Sequence, residues 1–372
     1  MAAGGSANPG AAAQGATDGG AIGSAHAGAS HPAAPCRIPK GVGIRVAAHG
    51  GADTAWPVMV GGSLLVALPD FVDEFGAFLA RYATNGVRLG ATRLDGSTYF
   101  MEGALWTGSS LAVLSLQRSS PSDILEARLF DGLGQPLGPT RRITSDSRGP
   151  SDSTALAAHS GSGFGVAWRS SIDLRFRAFD ATLAPLGSEI ALTDPGYAGT
   201  SPQVVSSGKE FAIVWLRGGA VHMTRVGLDG THLTPTPLVV ADGAKYPRAF
   251  VRAVWTGASY TLLFETDSGE LALAAISETG ASLAAPVVVT KLAKHSDGTG
   301  LDLAWNGTDL AAAWVDDSAP PAAPLFVRRY TPSLTPHGPA AKVADAAATP
   351  RLAWAGDEYV VTFGSTLQSV CD

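Results

Sequence analysis

One short pattern recurs seven times along this 372-residue chain, and its period constrains the fold more than any single residue does. Each copy centres on a glycine that has a Trp or a stand-in two positions before it and apolar residues three, five and seven positions after it. The glycines are Gly61, Gly108, Gly161, Gly208, Gly257, Gly307 and Gly356, at intervals of 47, 53, 47, 49, 50 and 49 residues. The clearest copies read VWTGASYTLLF, AWNGTDLAAAW and AWAGDEYVVTF; LWTGSSLAVLS and VSSGKEFAIVW are variants.

Alternation after each glycine identifies a strand, because every second side chain shares a face. Leu64, Val66 and Leu68 form such a face in the first copy, Phe211, Ile213 and Trp215 in the fourth, and Tyr260, Leu262 and Phe264 in the fifth. The opposite face is also small or apolar (Ala212, Val214, Ala311, Ala313), so the strand is covered on both sides. The segment before each glycine (Ala253 to Trp255, Leu303 to Trp305, Leu352 to Trp354) reads as an innermost strand joined to it by a glycine turn. A third and fourth strand follow, divided by turn pairs such as Asn85-Gly86, Asp131-Gly132 and Asp229-Gly230. Fourth strands read as Arg142 to Thr144, Ile190 to Leu192, Leu238 to Val240 and Val287 to Val289. Four strands in about 49 residues is the arithmetic of a propeller blade. The expected fold is therefore all-β, a seven-bladed β-propeller with four-stranded antiparallel blades. After Gly356 the last unit has a second strand (Tyr359 to Phe363) and a third (Thr366 to Val370) but no fourth. Residues Gly43 to Val46 are expected to supply it, so that the closing blade is shared between the two termini.

Composition agrees with short strands and tight turns: 45 glycines and 24 prolines against 16% charged residues. Residues 1–35 are mainly Ala, Gly, Ser and Pro and cannot bury enough surface to offset ordering entropy, so they read as a disordered tail ahead of a propeller spanning 36–372. No basic n-region with an apolar stretch is visible in the tail. Tails of this kind nevertheless commonly tether an exported bacterial domain just after an export signal or a lipidated cysteine. A net charge of -6 and the lack of a basic run interleaved with aromatics argue against nucleic acid as a partner. No run approaches the roughly 18 apolar residues that span a bilayer, so a soluble folded part is expected.

The blade signature resembles a group of bacterial exported propeller-repeat proteins whose blades carry W-x-G-x-x-Y/F-x-V-x-W. The match covers residues 36–372, with Trp106, Trp255, Trp305 and Trp354 before the glycine and Trp168, Trp215 and Trp314 after it. Met59, His159 and Ser206 replace the first Trp in three copies. The resemblance implies the fold and export; it implies no activity. The Trp residues, which taken alone suggest sugar stacking, are read as blade core from their place in the repeat.

No catalytic, metal or cofactor motif interrupts the repeats. The eight histidines show no His-x-His or His-Glu-x-x-His spacing, and Asp316-Asp317 and Asp297-Gly298 lack the alternating oxygen ligands of a calcium loop. There is no Gly-x-Ser-x-Gly elbow and no phosphate loop. One constellation stands out. Five residues before each glycine the blades carry Trp56, Gly103, Leu156, Gln203, Arg252, Asp302 and Arg351, which one shared register would set around one mouth of the central channel. Arg252, Asp302 and Arg351 then alternate in charge on three consecutive blades with Gln203 alongside. That set is open to two readings, an inter-blade ion network or a cationic grip for a carboxylate, phosphate or acidic sugar. Tyr197, Tyr246 and Arg248, on loops of the same face, are the further candidate contacts. These features favour an exported, monomeric, non-catalytic scaffold that binds an anionic small molecule, a glycan or a partner protein. The alternative is a glycan-active or other extracellular enzyme with acids contributed by several blades.

The two cysteines lie at opposite ends of the closing blade, Cys36 before its N-terminal strand and Cys371 after its C-terminal one. A disulfide between them would latch the ring, stabilise it by roughly 5 kcal/mol on the chain-entropy model, and place the protein in an oxidising compartment outside the cytoplasm. Mass spectrometry of peptides from the native host, with and without reduction, is expected to show the Cys36–Cys371 crosslink; two free thiols would overturn the latch and the localisation built on it.

Overall fold

The glycine at the centre of each repeat has positive φ, from 52° at Gly61 to 101° at Gly307. In six copies it alone does so, as in the type II′ hairpins that take glycine at the first central position, while Gly61 and Gly62 are both positive, as in type I′. The turn therefore folds the segment before the glycine back on the segment after it. The computed structural model describes residues 44–45, 55–70, 76–94, 100–117, 123–144, 156–170, 172–196, 200–234, 236–242, 250–292, 300–316, 323–364 and 366–370. These form seven four-stranded antiparallel sheets and no helix. Blade 5 is representative: Val251–Trp255, Tyr260–Glu265, Glu270–Ile276 and Val287–Lys291, each paired with the next. The fourth strands of blades 2 and 3 are shorter than expected, Arg141–Arg142 and Ile190–Ala191.

The innermost strands are Trp56–Val60, Phe100–Trp106, Leu156–His159, Thr200–Ser206, Val251–Trp255, Leu301–Trp305 and Arg351–Trp354. Each touches the innermost strand of the next blade, and the seventh touches the first, so the sheets form a closed ring. The core is correspondingly divided. Seven hydrophobic clusters fill the seven seams between neighbouring blades. Leu64, Val66 and Leu68 pack into the seam between blades 7 and 1, and Phe211, Ile213 and Trp215 into that between blades 3 and 4. Trp168, Trp215 and Trp314 are buried as blade core. The Trp residues before the glycine are only half-buried: Trp255 and Trp354 lie at the glycine-turn end, tilted against Tyr260 and Tyr359 at 4.7 and 4.9 Å.

The outer hairpins depart from expectation in their turn chemistry. Asp131-Gly132 is not a two-residue turn. The loop has three residues, the Asp131 carboxylate accepts N–H bonds from Leu133 and Gln135 at 2.9 and 2.7 Å, and the positive φ falls on Gly134. The same loop, a type I turn followed by a left-handed residue, recurs in blades 1 to 6, with Gly86, Gly134, Leu183, Gly230, Gly280 and Leu334 at the left-handed position. Leucine there costs about 1–2 kcal/mol. Leu183 and Leu334 are each 4% exposed and join inter-blade clusters, and burial of that order, worth about 1.5–3 kcal/mol, offsets the strain. At Gly280 the preceding blade fills the space, since a Cβ there would meet Leu238 at 2.5 Å, whereas at Gly230 it would meet only Ala178 at 3.8 Å.

Closure follows the expected scheme. Ile44–Arg45 pairs with Thr366–Val370 to complete blade 7, with Ile44 opposite Leu367 and Arg45 opposite Thr366. Cys36, Cys371 and the 1–35 tail lie outside the described residues. In the closing seam the buried Thr362 hydroxyl donates to the carbonyl of Ala55 at 2.7 Å, linking positions 307 residues apart. Thr362→Val keeps the shape and removes the donor, and is expected to cost about 1–3 kcal/mol, read as a lower urea midpoint; an unchanged midpoint would show that the seam does not depend on this bond.

Candidate functional site

The shared register holds in all seven blades. The residue five positions before the glycine always sits opposite the residue six positions after it: Trp56 opposite Ala67, Gly103 opposite Leu114, Leu156 opposite Ala167, Gln203 opposite Val214, Arg252 opposite Leu263, Asp302 opposite Ala313 and Arg351 opposite Thr362. Blades 2 and 4 are irregular only upstream of this position, between Met101 and Gly103 and between Thr200 and Gln203, so pairing from the glycine turn to the mouth position is regular in both. These positions lie near the end of the channel where the chain enters each innermost strand, here the mouth. Where their side chains make contacts across a seam, they point at the following blade. Arg252 reaches Asp302, Asp302 reaches the backbone of Leu352, Arg351 reaches Trp56, and Trp56 packs into the seam with blade 2.

The charged trio is thereby divided in two. Arg252 and Asp302, 7% and 9% exposed, form an inter-blade ion pair, with Nε 3.3 Å from Oδ1. The second carboxylate oxygen, Oδ2, accepts the N–H of Leu352 at 2.7 Å, so Asp302 ties blade 6 to both neighbours. Arg252 also places its guanidinium 5.4 Å from the centre of the Phe250 ring and approaches the carbonyl of Val251 at 3.4 Å. Burial, and then the Arg351 charge, pull the Arg252 pKa below the ordinary arginine value, while Asp302 pulls it back up; arginine has reserve enough to remain a cation. Half of the expected constellation is therefore an inter-blade ion pair.

Arg351 is the other half. Its Nη1 donates to the carbonyl of Pro350 at 2.9 Å, and its guanidinium lies over Trp56, 4.6 Å from the ring centre. No carboxylate among the described residues stands within ion-pair distance of it. Burial lowers its pKa and the nearby Asp302 charge raises it. Gln203 is buried, and its amide bonds the carbonyl of Pro202 at 3.2 Å rather than the charged trio. Tyr197, Tyr246 and Arg248 lie outside the described residues.

Two features of the mouth were missed in the sequence. Trp56 was legible as the first member of the seven-position ring, but its aromatic ring drew no attention beside the Trp residues of the repeat. Glu102, 5% exposed, is the residue that the blade 2 irregularity inserts into its innermost strand; an irregularity has no signature in the glycine spacing. Among the described residues no three His, Cys, Asp or Glu side chains gather as a metal site, and no helix is long and apolar enough to cross a membrane.

No protein-family model matches the chain, and no curated protein matches its sequence. Solved structures do. The ring is similar to the BP39L lectin from Burkholderia pseudomallei, with a TM-score of 0.66 and 12% identity over 86% of this chain and 96% of the lectin. It is similar to a putative 6-phosphogluconolactonase from Bacteroides fragilis, with a TM-score of 0.54 and 13% identity over 83% of this chain and 94% of that one. A prolyl endopeptidase matches at 0.50 and 12% identity, over 87% of this chain and 50% of its own. At such identities the likeness establishes the propeller fold alone.

The ion pair gives a direct stability test. Asp302→Ala leaves a buried guanidinium without its carboxylate and the Leu352 N–H without its acceptor, and is expected to cost about 3–5 kcal/mol. Asp302→Asn keeps an oxygen for Leu352 and is expected to cost less. Equal losses in chemical denaturation would show that the Leu352 hydrogen bond contributes nothing beyond the ion pair.

Proposed function

We propose that this protein is an exported, non-catalytic propeller that binds an anionic ligand, a small molecule or an acidic glycan, at the mouth of its channel. The observation that carries this reading is an imbalance of charge. Two arginines and one aspartate face the mouth seams, and the aspartate is taken up by Arg252 and by the backbone of Leu352. Arg351 is left to contribute a positive charge against an aromatic ring, in a part-buried setting where water screens it weakly. A fixed, partly desolvated guanidinium is suited to recognising an anion. A ring of the same extent serves as a lectin in Burkholderia pseudomallei, which is consistent with a sugar-bearing ligand.

Export is supported by the way the chain closes. Ile44 lies opposite Leu367 and Arg45 opposite Thr366, so the described strand nearest Cys36 in sequence and the strand nearest Cys371 share one blade. That shared blade supports the Cys36–Cys371 latch, and with it an oxidising compartment.

A panel of acidic and neutral glycans, presented to the purified full chain, is expected to yield binding confined to acidic members and weakening with salt. Arg351→Ala is expected to reduce that binding at least about tenfold, a loss of about 1.4 kcal/mol, with the circular dichroism spectrum unchanged. Binding to neutral glycans alone, or turnover of a bound glycan, would overturn the proposal.

A further inference from the structure

We infer that the anion taken at the mouth is a carboxylate, held side-on by Arg351 in the seam where the ring closes, with the indole N–H of Trp56 as a third donor; this rests on the binding reading above.

The inference starts from which edges of the guanidinium are engaged. Nη1 is committed to Pro350, and the guanidinium carbon lies 4.6 Å from the centre of the Trp56 ring. Nε is buried and has no hydrogen-bond partner among the described residues, and none is found for Nη2. Nε and Nη2 form one edge of the planar fork, with two parallel N–H vectors spaced to meet the two oxygens of a carboxylate. The indole Nε1 of Trp56 is likewise buried without a partner, and it belongs to the ring on which the guanidinium rests. The indole N–H groups of Trp168 and Trp215 are also buried without a partner, in blade core; what singles out Trp56 and Arg351 is that two unpaired donors lie on groups in mutual contact at the mouth, where an acceptor would satisfy both. The Pro350 bond and the contact with the indole together limit rotation of the guanidinium about its stem and hold that edge in place.

Charge selects a carboxylate over a phosphate. The trio carries one net positive charge, and the Asp302 carboxylate is close enough to act on Arg351. A monoanion is balanced by that sum, whereas a phosphate monoester, with nearly two negative charges at neutral pH, keeps an uncompensated charge beside Asp302. Arg351 belongs to blade 7, which contains the N-terminal strand, and Trp56 opens blade 1. A ligand held by both spans the closing seam and binds only the closed ring, so it stabilises the fold by mass action.

The test compares three probes of one ring size on the full chain, D-glucuronate, glucose 6-phosphate and glucose, by calorimetric titration and thermal unfolding. Glucuronate is expected to bind and raise Tm, glucose 6-phosphate to bind at least about tenfold more weakly, and glucose to do neither. Arg351→Lys keeps the charge but loses the two-pronged edge, and is expected to weaken glucuronate at least about tenfold; Trp56→Phe keeps a ring under the guanidinium but removes the N–H, and is expected to weaken it about threefold or more. Should either variant fail to fold, the selectivity of the unaltered protein still decides. Glucose 6-phosphate binding as tightly as glucuronate, or Arg351→Lys binding glucuronate like the parent, would overturn the inference. Acidic glycans captured by the panel with none of the three probes bound would sink the carboxylate site and leave the binding reading intact. A blank panel would remove both.

Discussion

Closure of the ring is the constraint on which the rest of this structure depends. Each blade is apolar on both faces and contributes half of two seams, so no blade has a core of its own. An open arc of the same blades would expose two such faces, one at each end. Pairing Ile44–Arg45 with Thr366–Val370 converts the two loose ends into a single blade, and the Thr362 hydrogen bond to Ala55 fastens that blade to the first one. Among the described residues the closing pairing is two residues long on its N-terminal side, and much of the seam's cohesion comes from Leu64, Val66, Leu68, Tyr82, Val360 and Leu367 packed across it. The entropy of joining ends more than 300 residues apart is met once, by local packing of the same kind as in the other seams.

The repeat separates scaffold from recognition. Backbone pairing is the same at the mouth position of every blade, whether Trp, Gly, Leu, Gln, Arg or Asp stands there, because hydrogen bonds between innermost and second strands do not involve the side chain. Side chains at this position are therefore free to vary where the contacts of one blade meet the next. In blades 5 to 7 that freedom is used for charge. The buried pair of Arg252 and Asp302 is poor evidence for added stability, since the cost of desolvating two ions offsets much of their attraction. Its clearer effect is to fix Asp302 between its neighbours and leave Arg351 to Trp56.

Much of the architecture was legible because its signals are local and repeated. Glycine at a positive φ, alternation in the strand after it and a period near 49 residues each specify one part of a blade, and they agree in all seven copies. The misreadings arose where two structures share a composition. Asp131-Gly132 is a good two-residue turn by type, yet the Asp131 carboxylate caps two N–H groups further on and moves the left-handed residue to Gly134. Leu183 and Leu334 hold the same conformation against their propensity because a neighbouring blade offers each a buried place, which no window of sequence contains. Likewise, a Trp before the glycine and a Trp after it look alike in the repeat, but the former stands at the glycine-turn end and is only half-buried.

By itself, then, the sequence determined the number of blades, the strand order within each, the place of closure and the seven residues that share one register around the mouth, because these depend on backbone turns and alternation written within each repeat. Only the tertiary structure decided which of those residues meet. Arg252, Asp302 and Arg351 stand about 50 residues apart in the chain, and their pairing depends on rotamers and on the packing of three seams. Identical charge patterns along the sequence are compatible with Asp302 serving either arginine. The fold gives it to Arg252 and to the Leu352 backbone, and sets the remaining guanidinium against the indole of Trp56, a partner from the opposite end of the chain that ring closure alone brings beside it.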